Sequence, residues 1–183
     1  MLNRTTRLLL YGGTLWYLGE GMLGPLFAVF ANRIGGNILD ISLAWALYLI
    51  ILGALYIILG KASDKNLPKE ELMIAGYALN AVFTFGYLLV DAPWKLFVVQ
   101  GLLGAAAAMA SPTWYALFST HMDQAYGGSL WGLVGGFQYI VVGISLIIGG
   151  LIVTNFSFTT LFVTMGTIQV VATLYQAQIL FKK

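Results

Sequence analysis

Residues 8–30 read LLLYGGTLWYLGEGMLGPLFAVF, from Leu8 to Phe30, and how that stretch is read decides the fold. Crossing the hydrocarbon core of a bilayer as an α-helix takes roughly 20 mostly apolar residues, and this run supplies them with a single charge, Glu20. Arg4 and Arg7 precede it, as basic residues precede a secretion signal. The run is too long for the apolar segment of such a signal and lacks a clear small-x-small cleavage site, so it reads as a retained first span.

The rest of the chain repeats the pattern. Apolar segments at about 40–60, 71–90, 95–119, 129–153 and 159–180 are separated by Arg33 to Asp40, Lys61 to Glu71, Asp91-Ala92-Pro93-Trp94, His121 to Gly128 and Thr154 to Ser157. Together with 8–30 they predict an all-α membrane protein, a single six-helix transmembrane domain over 1–183. Composition agrees: 60% of the 183 residues are hydrophobic and 9% charged, where soluble domains carry about 25% charged residues. Lys and Arg set the orientation. Arg4, Arg7, Lys61, Lys65, Lys69, Lys182 and Lys183 fall on one side, and Arg33 and Lys95 on the other. Both termini are therefore expected in the cytoplasm, in a multi-pass protein of the cytoplasmic membrane. A net charge of +2 gives no reason to expect nucleic acid, and with no cysteine there is no thiol chemistry or thiolate metal site. The 22 glycines suit spans held together by close backbone packing.

Three sequence segments resemble the major facilitator superfamily. Gly60-Lys61-Ala62-Ser63-Asp64-Lys65, between the second and third spans, is similar to the family's loop motif, although Leu67 and Pro68 stand where the motif continues with Gly and Arg. Gln100-x-x-x-Gly104 is similar to its Arg-x-x-x-Gly segment with Gln in place of Arg. Glu20, in Leu18-Gly19-Glu20-Gly21, sits where many members keep an acid, whereas the fifth span, ending Gly149-Gly150, lacks the Gly-Pro of antiporters. The resemblance implies one six-helix half of a transporter whose substrate sits near mid-bilayer between two halves. It also implies a homodimer of two such bundles, with a fragment of a longer transporter as the alternative. Gly60, Asp64 and Lys65 would form loop contacts that latch the halves, or merely a solvated turn.

Glu20 is the one acid deep in a span. A charge at mid-bilayer costs roughly 2.5–3.5 kcal/mol on insertion scales, so it persists only where it faces a cavity, finds a partner or holds a proton. Gly13, Tyr17, Glu20, Gly24 and Phe27 share a helical stripe suited to a cavity wall. Trp45 and Tyr48 in the second span, Gln100 and Trp114 in the fourth, and Gln138 in the fifth extend the polar and aromatic set. The expected site is Tyr17, Glu20, Tyr48, Gln100, Trp114 and Gln138 for the solute, with Glu20 also exchanging protons. Asn80 and Gln169 are mid-span amides on spans that are peripheral in the resembling family, where helix–helix hydrogen bonding is the rival role. Rings, amides and no mid-span Lys or Arg point to a neutral polar solute, with a sugar fitting best. Pro25 and Pro112 can kink their spans. His121 with Asp123 is too small a set for a metal and suits an inter-span hydrogen bond. An enzyme would need paired acids, a Ser/His pair or a metal cluster. The expectation is accordingly a non-enzymatic, proton-coupled symporter without cofactor, whose partners are a solute, protons, the bilayer and a second copy. A non-transporting scaffold or half of a heteromer is the rival.

Overall fold

The computed structural model describes residues 2–63 and 68–181, and in these the chain is helical without strands. Asp64 and Lys65 of the loop motif, and Lys182 and Lys183 of the basic count, lie outside the described residues. The long helices are α1 (Arg4–Gly21), α2 (Leu26–Arg33), α3 (Ile38–Ser63), α4 (Lys69–Gly86), α5 (Pro93–His121), α6 (Gly127–Asn155) and α7 (Phe158–Ala177). Among the described residues, five helical segments, beginning at Ile38, Lys69, Pro93, Gln124 and Phe158, are long and apolar enough to cross a membrane.

The segment 8–30, expected as one span, is instead two helices. Pro25 has no N–H to return to the Gly21 carbonyl, and Gly21 and Gly24 are poor helix formers, so the ladder fails between Met22 and Pro25. The break is packed: a Cβ on Gly149 of α6 would overlap the Met22 carbonyl, so only glycine lets α6 lie this close. Pro112 has a different outcome. α5 runs on through it, while the neighbouring Thr113 hydroxyl donates to the Met109 carbonyl at 2.7 Å.

α5 is the central helix. Its small residues let two neighbours meet its backbone, since a Cβ on Gly76 of α4 would sit 2.6 Å from the Ala110 nitrogen and one on Gly104 2.6 Å from the Tyr48 carbonyl of α3. α1 packs against α6 and α7, and α4 against α5 and α7. At the end near the N-terminus, the Asn3 side chain caps α1 at Thr6 and donates to the His121 carbonyl at 2.6 Å. His121 thus takes part in an inter-helix hydrogen bond through its backbone.

Two apolar clusters divide the bundle. Leu9, Trp16, Met73, Tyr77, Trp114 and Phe118 anchor the half nearer the N-terminus, and Met22, Phe30, Tyr87, Leu96, Phe162 and Met165 the other. α3 adds Ala44 to the second cluster and α6 adds Leu130 and Val134 to the first, while Leu43, Leu49 and Ile50 of α3 and Tyr139, Ile140 and Ile147 of α6 stay exposed. The polar residues of interest lie where the two clusters meet.

Candidate functional site

Glu20 is carried on the last turn of α1, one residue before the helix gives out. Its partners come from helices far apart in sequence. Asn80 Nδ2 of α4 donates to Glu20 Oε1 at 2.8 Å, and Gln169 Nε2 of α7 donates to the same oxygen at 3.3 Å and to the Trp16 carbonyl at 3.1 Å. Asn80 is 1% exposed and Gln169 fully buried. Gly19 makes room for this arrangement, because a Cβ there would stand 2.7 Å from Gln169 Nε2. Thr84 completes the wall on α4 by bonding back to the Asn80 carbonyl at 2.8 Å.

Beside Glu20 lies a cavity of about 430 Å³. Its aromatic lining is Trp16, Tyr17, Phe27, Trp45, Tyr48 and Tyr87, and its polar lining includes Glu20, Thr84, Gln100 and Gln138. Trp45 stacks on Tyr48 with ring centroids 5.7 Å apart and tilts against Phe27 at 5.6 Å. Tyr87 donates its hydroxyl to Gln100 Oε1 at 3.2 Å, while Gln100 Nε2 is buried without a partner. None of the described lining residues is basic. A half-buried carboxyl group with no cation to neutralise it, ringed by aromatic faces, can take up a proton or hold a cationic group.

The structure brings Tyr17, Glu20, Tyr48, Gln100 and Gln138 to this one cavity and leaves Trp114 outside it. Trp114 lines a separate small void of about 30 Å³ with Gly13, Tyr77 and Tyr115, and its indole N–H is bonded to the Leu9 carbonyl at 3.0 Å. The face of α6 divides similarly. Gln138, Val142 and Leu146 line the cavity, whereas Ser145 and Gly149 pack against Gly21 and Met22. Gly60, on the last turns of α3, has open space beside its Cα. The hydrogen-bond partners of Glu20 are the residues that sequence reasoning placed at the periphery. Their signal was present as two amides at mid-span depth, but nothing in one dimension shows that α4 and α7 flank α1. Among the described residues no group of three His, Cys, Asp or Glu gathers to suit a metal.

A family model described as Major Facilitator Superfamily matches residues 9–182. Relatives named Multidrug resistance protein MdtG are 22% identical over 155 residues in Enterobacter lignolyticus, covering 82% of this chain and 37% of the relative. The corresponding figures are 23% over 156 residues in Salmonella schwarzengrund, covering 82% and 38%, and 22% over 162 residues in Dickeya zeae, covering 86% and 40%. The chain thus spans about two fifths of the length of these curated relatives.

Proposed function

This chain belongs to the major facilitator superfamily, and on that premise we propose that it forms one six-span half of a proton-coupled carrier of lipophilic organic cations. α1 and α2 together serve as the first span, both termini lie in the cytoplasm, and a second copy supplies the other half. Transport follows by alternating access, the two halves rocking about the cavity that Glu20 lines.

The observation that carries the reading is the pairing of one carboxyl group with six aromatic rings around a cavity of about 430 Å³ that has no basic residue among its described lining residues. A cation with apolar bulk satisfies both features, since rings attract its charge and the carboxylate neutralises it. Proton and cation would then compete for Glu20, which couples their movements in opposite directions through this site and without the Gly-Pro of antiporters in the fifth span. The relatives' name, multidrug resistance protein, points the same way. For the sugar first expected, Gln100 has less to offer, since its oxygen already accepts from Tyr87. A neutral polar solute is the second reading, favoured by Gln138 and by the stacked Trp45 and Tyr48.

The test is ligand-induced stabilisation, since a bound ligand raises the melting temperature by mass action. Tetraphenylphosphonium should raise the melting temperature of the purified chain, and Glu20→Gln should remove most of that rise. In liposomes an outward-directed flux of the same cation should follow an imposed pH gradient in the wild type and not in Glu20→Gln. Stabilisation by sugars alone, or cation binding unchanged by Glu20→Gln, would reject the proposal.

A further inference from the structure

Glu20 has two carboxyl oxygens, and the structure treats them differently. Oε1 receives both amide donors, Asn80 Nδ2 at 2.8 Å and Gln169 Nε2 at 3.3 Å. Oε2 receives no hydrogen bond from the described residues and is not among the buried unpaired atoms, so it is the oxygen left to the cavity. The orientation of the Gln169 amide is fixed by its second bond. Its nitrogen also donates to the Trp16 carbonyl at 3.1 Å, and turning the amide over would set oxygen against oxygen there. Only glycine at position 19 leaves space for that nitrogen, since a Cβ there would stand 2.7 Å from it. This arrangement leaves Gln169 Oε1 buried and unpartnered, a cost the fold bears to aim the N–H at Glu20.

We propose that Asn80 and Gln169 are positioning residues that divide the two oxygens of Glu20 by task. Oε1 is pinned as an acceptor in both protonation states, and Oε2 is the oxygen that gains and releases the proton on the cavity side. This rests on the reading of Glu20 as the proton site and adds which atom does the work. An oxygen accepting two N–H bonds serves best as the carbonyl oxygen of the acid, so the hydroxyl proton goes to the other. The O–H then points where water or a solute can reach it, and its loss leaves the charge partly held by two amides. The other titratable groups facing the cavity are the hydroxyls of Tyr17 on α1, Tyr48 on α3 and Tyr87 after α4, while α5, α6 and α7 present amides and apolar side chains. None of these offers a basic acceptor that would draw the proton to Oε1.

Infrared difference spectroscopy of the purified chain through a pH titration tests the assignment. The acid band of Glu20 is the carboxylic C=O stretch that disappears in Glu20→Gln. It should lie at low wavenumber in the wild type, because its C=O accepts two hydrogen bonds. It should move to higher wavenumber in Asn80→Leu and in Gln169→Met, which keep the side-chain volume and remove the donors. A wild-type band at the position of an acid with an unbonded C=O would overturn the proposal. So would a band unmoved in both folded variants, or no acid band for Glu20 at any accessible pH. The wild-type position decides alone if either variant fails to fold. Because no gradient or solute enters the measurement, failure of the liposome flux rejects the transport reading without touching this result.

Discussion

Gln169 and Gln176 sit seven residues apart on α7, and each meets a glycine on α1, Gly19 and Gly12, that are also seven apart. Both glutamines are fully buried and both leave Oε1 unpaired. Their nitrogens differ. Gln169 Nε2 has two good acceptors, while the partner of Gln176 Nε2 is the Met73 sulfur at 3.8 Å. Replacing a poorly paired buried amide by an apolar group of like shape is close to neutral, whereas stranding a satisfied partner costs about 1–3 kcal/mol. Thermal unfolding in detergent should therefore show Gln176→Met at or above the wild-type melting temperature and Gln169→Met below it. A clear loss on Gln176→Met would contradict the accounting. At the surface, Asp91 and Lys95 form a 2.7 Å pair that holds the Asp91 carboxyl below the usual carboxylate range. A depressed carboxyl favours the fold above its unfolded titration and loses that contribution as pH falls through the lower folded value. The pair is exposed, so Asp91→Asn should leave the melting temperature at neutral pH within error of the wild type and remove a salt-sensitive increment at most.

Glycine positions on α6 separate two kinds of packing at the scale of whole elements. A Cβ on Gly149 would overlap backbone at the α1–α2 break, and backbone cannot step aside as a side-chain tip can. Overpacking of this kind typically costs 1–3 kcal/mol, so Gly149→Ala should lower the melting temperature. Gly150→Ala next to it meets no atom within 4 Å and should be neutral or stabilising, by up to about 1 kcal/mol from helix propensity. Equal effects at both positions would mean that α6 does not sit in the break as described. The break also marks how far the sequence could be read. Continuous apolarity from Leu8 to Phe30 signalled a span, and Pro25 signalled a weak point, but whether a proline kinks or ends a helix depends on what packs beside it. Here Gly149 takes up the space, while at Pro112 the helix continues. Glu20 was legible because it is the lone charge in its segment, and five of the six expected site residues do meet at one cavity. Trp114 could not be sorted from Trp16 by spacing, because which indole faces the cavity depends on how α5 is rotated against α1. Asn80 and Gln169 were visible as buried amides, yet their partner depended on the adjacency of α4, α7 and α1.

Across the whole molecule, α3 and α6 are walls of the cavity that also expose long apolar faces. α3 leans on α5 and α2, α6 on α1 and α7, and the cavity takes Trp45 and Tyr48 from one and Gln138, Val142 and Leu146 from the other. Lipid alone can cover exposed apolar faces, but lipid would also seal a cavity that holds a carboxyl group, which is costly for any charge it carries. A second bundle covering both helices would keep that chamber within protein, and two identical copies with the same orientation meet naturally about an axis along the membrane normal. α6 is shaped for such a contact: Gly128, Gly132 and Gly136 are four residues apart on one face with open space beside each. Small residues at that spacing let helices approach closely in a bilayer. The proposed homodimer therefore predicts two copies per particle when the chain is counted by single-molecule photobleaching in liposomes at low protein density. Gly132→Leu with Gly136→Leu should leave helicity and melting intact, because neither glycine touches its own bundle, and should shift the count to one. A wild-type count of one would leave the cavity facing lipid or an unrelated chain and remove the two-fold carrier. An unchanged count of two in the double variant would move the interface off this face of α6 and onto α3.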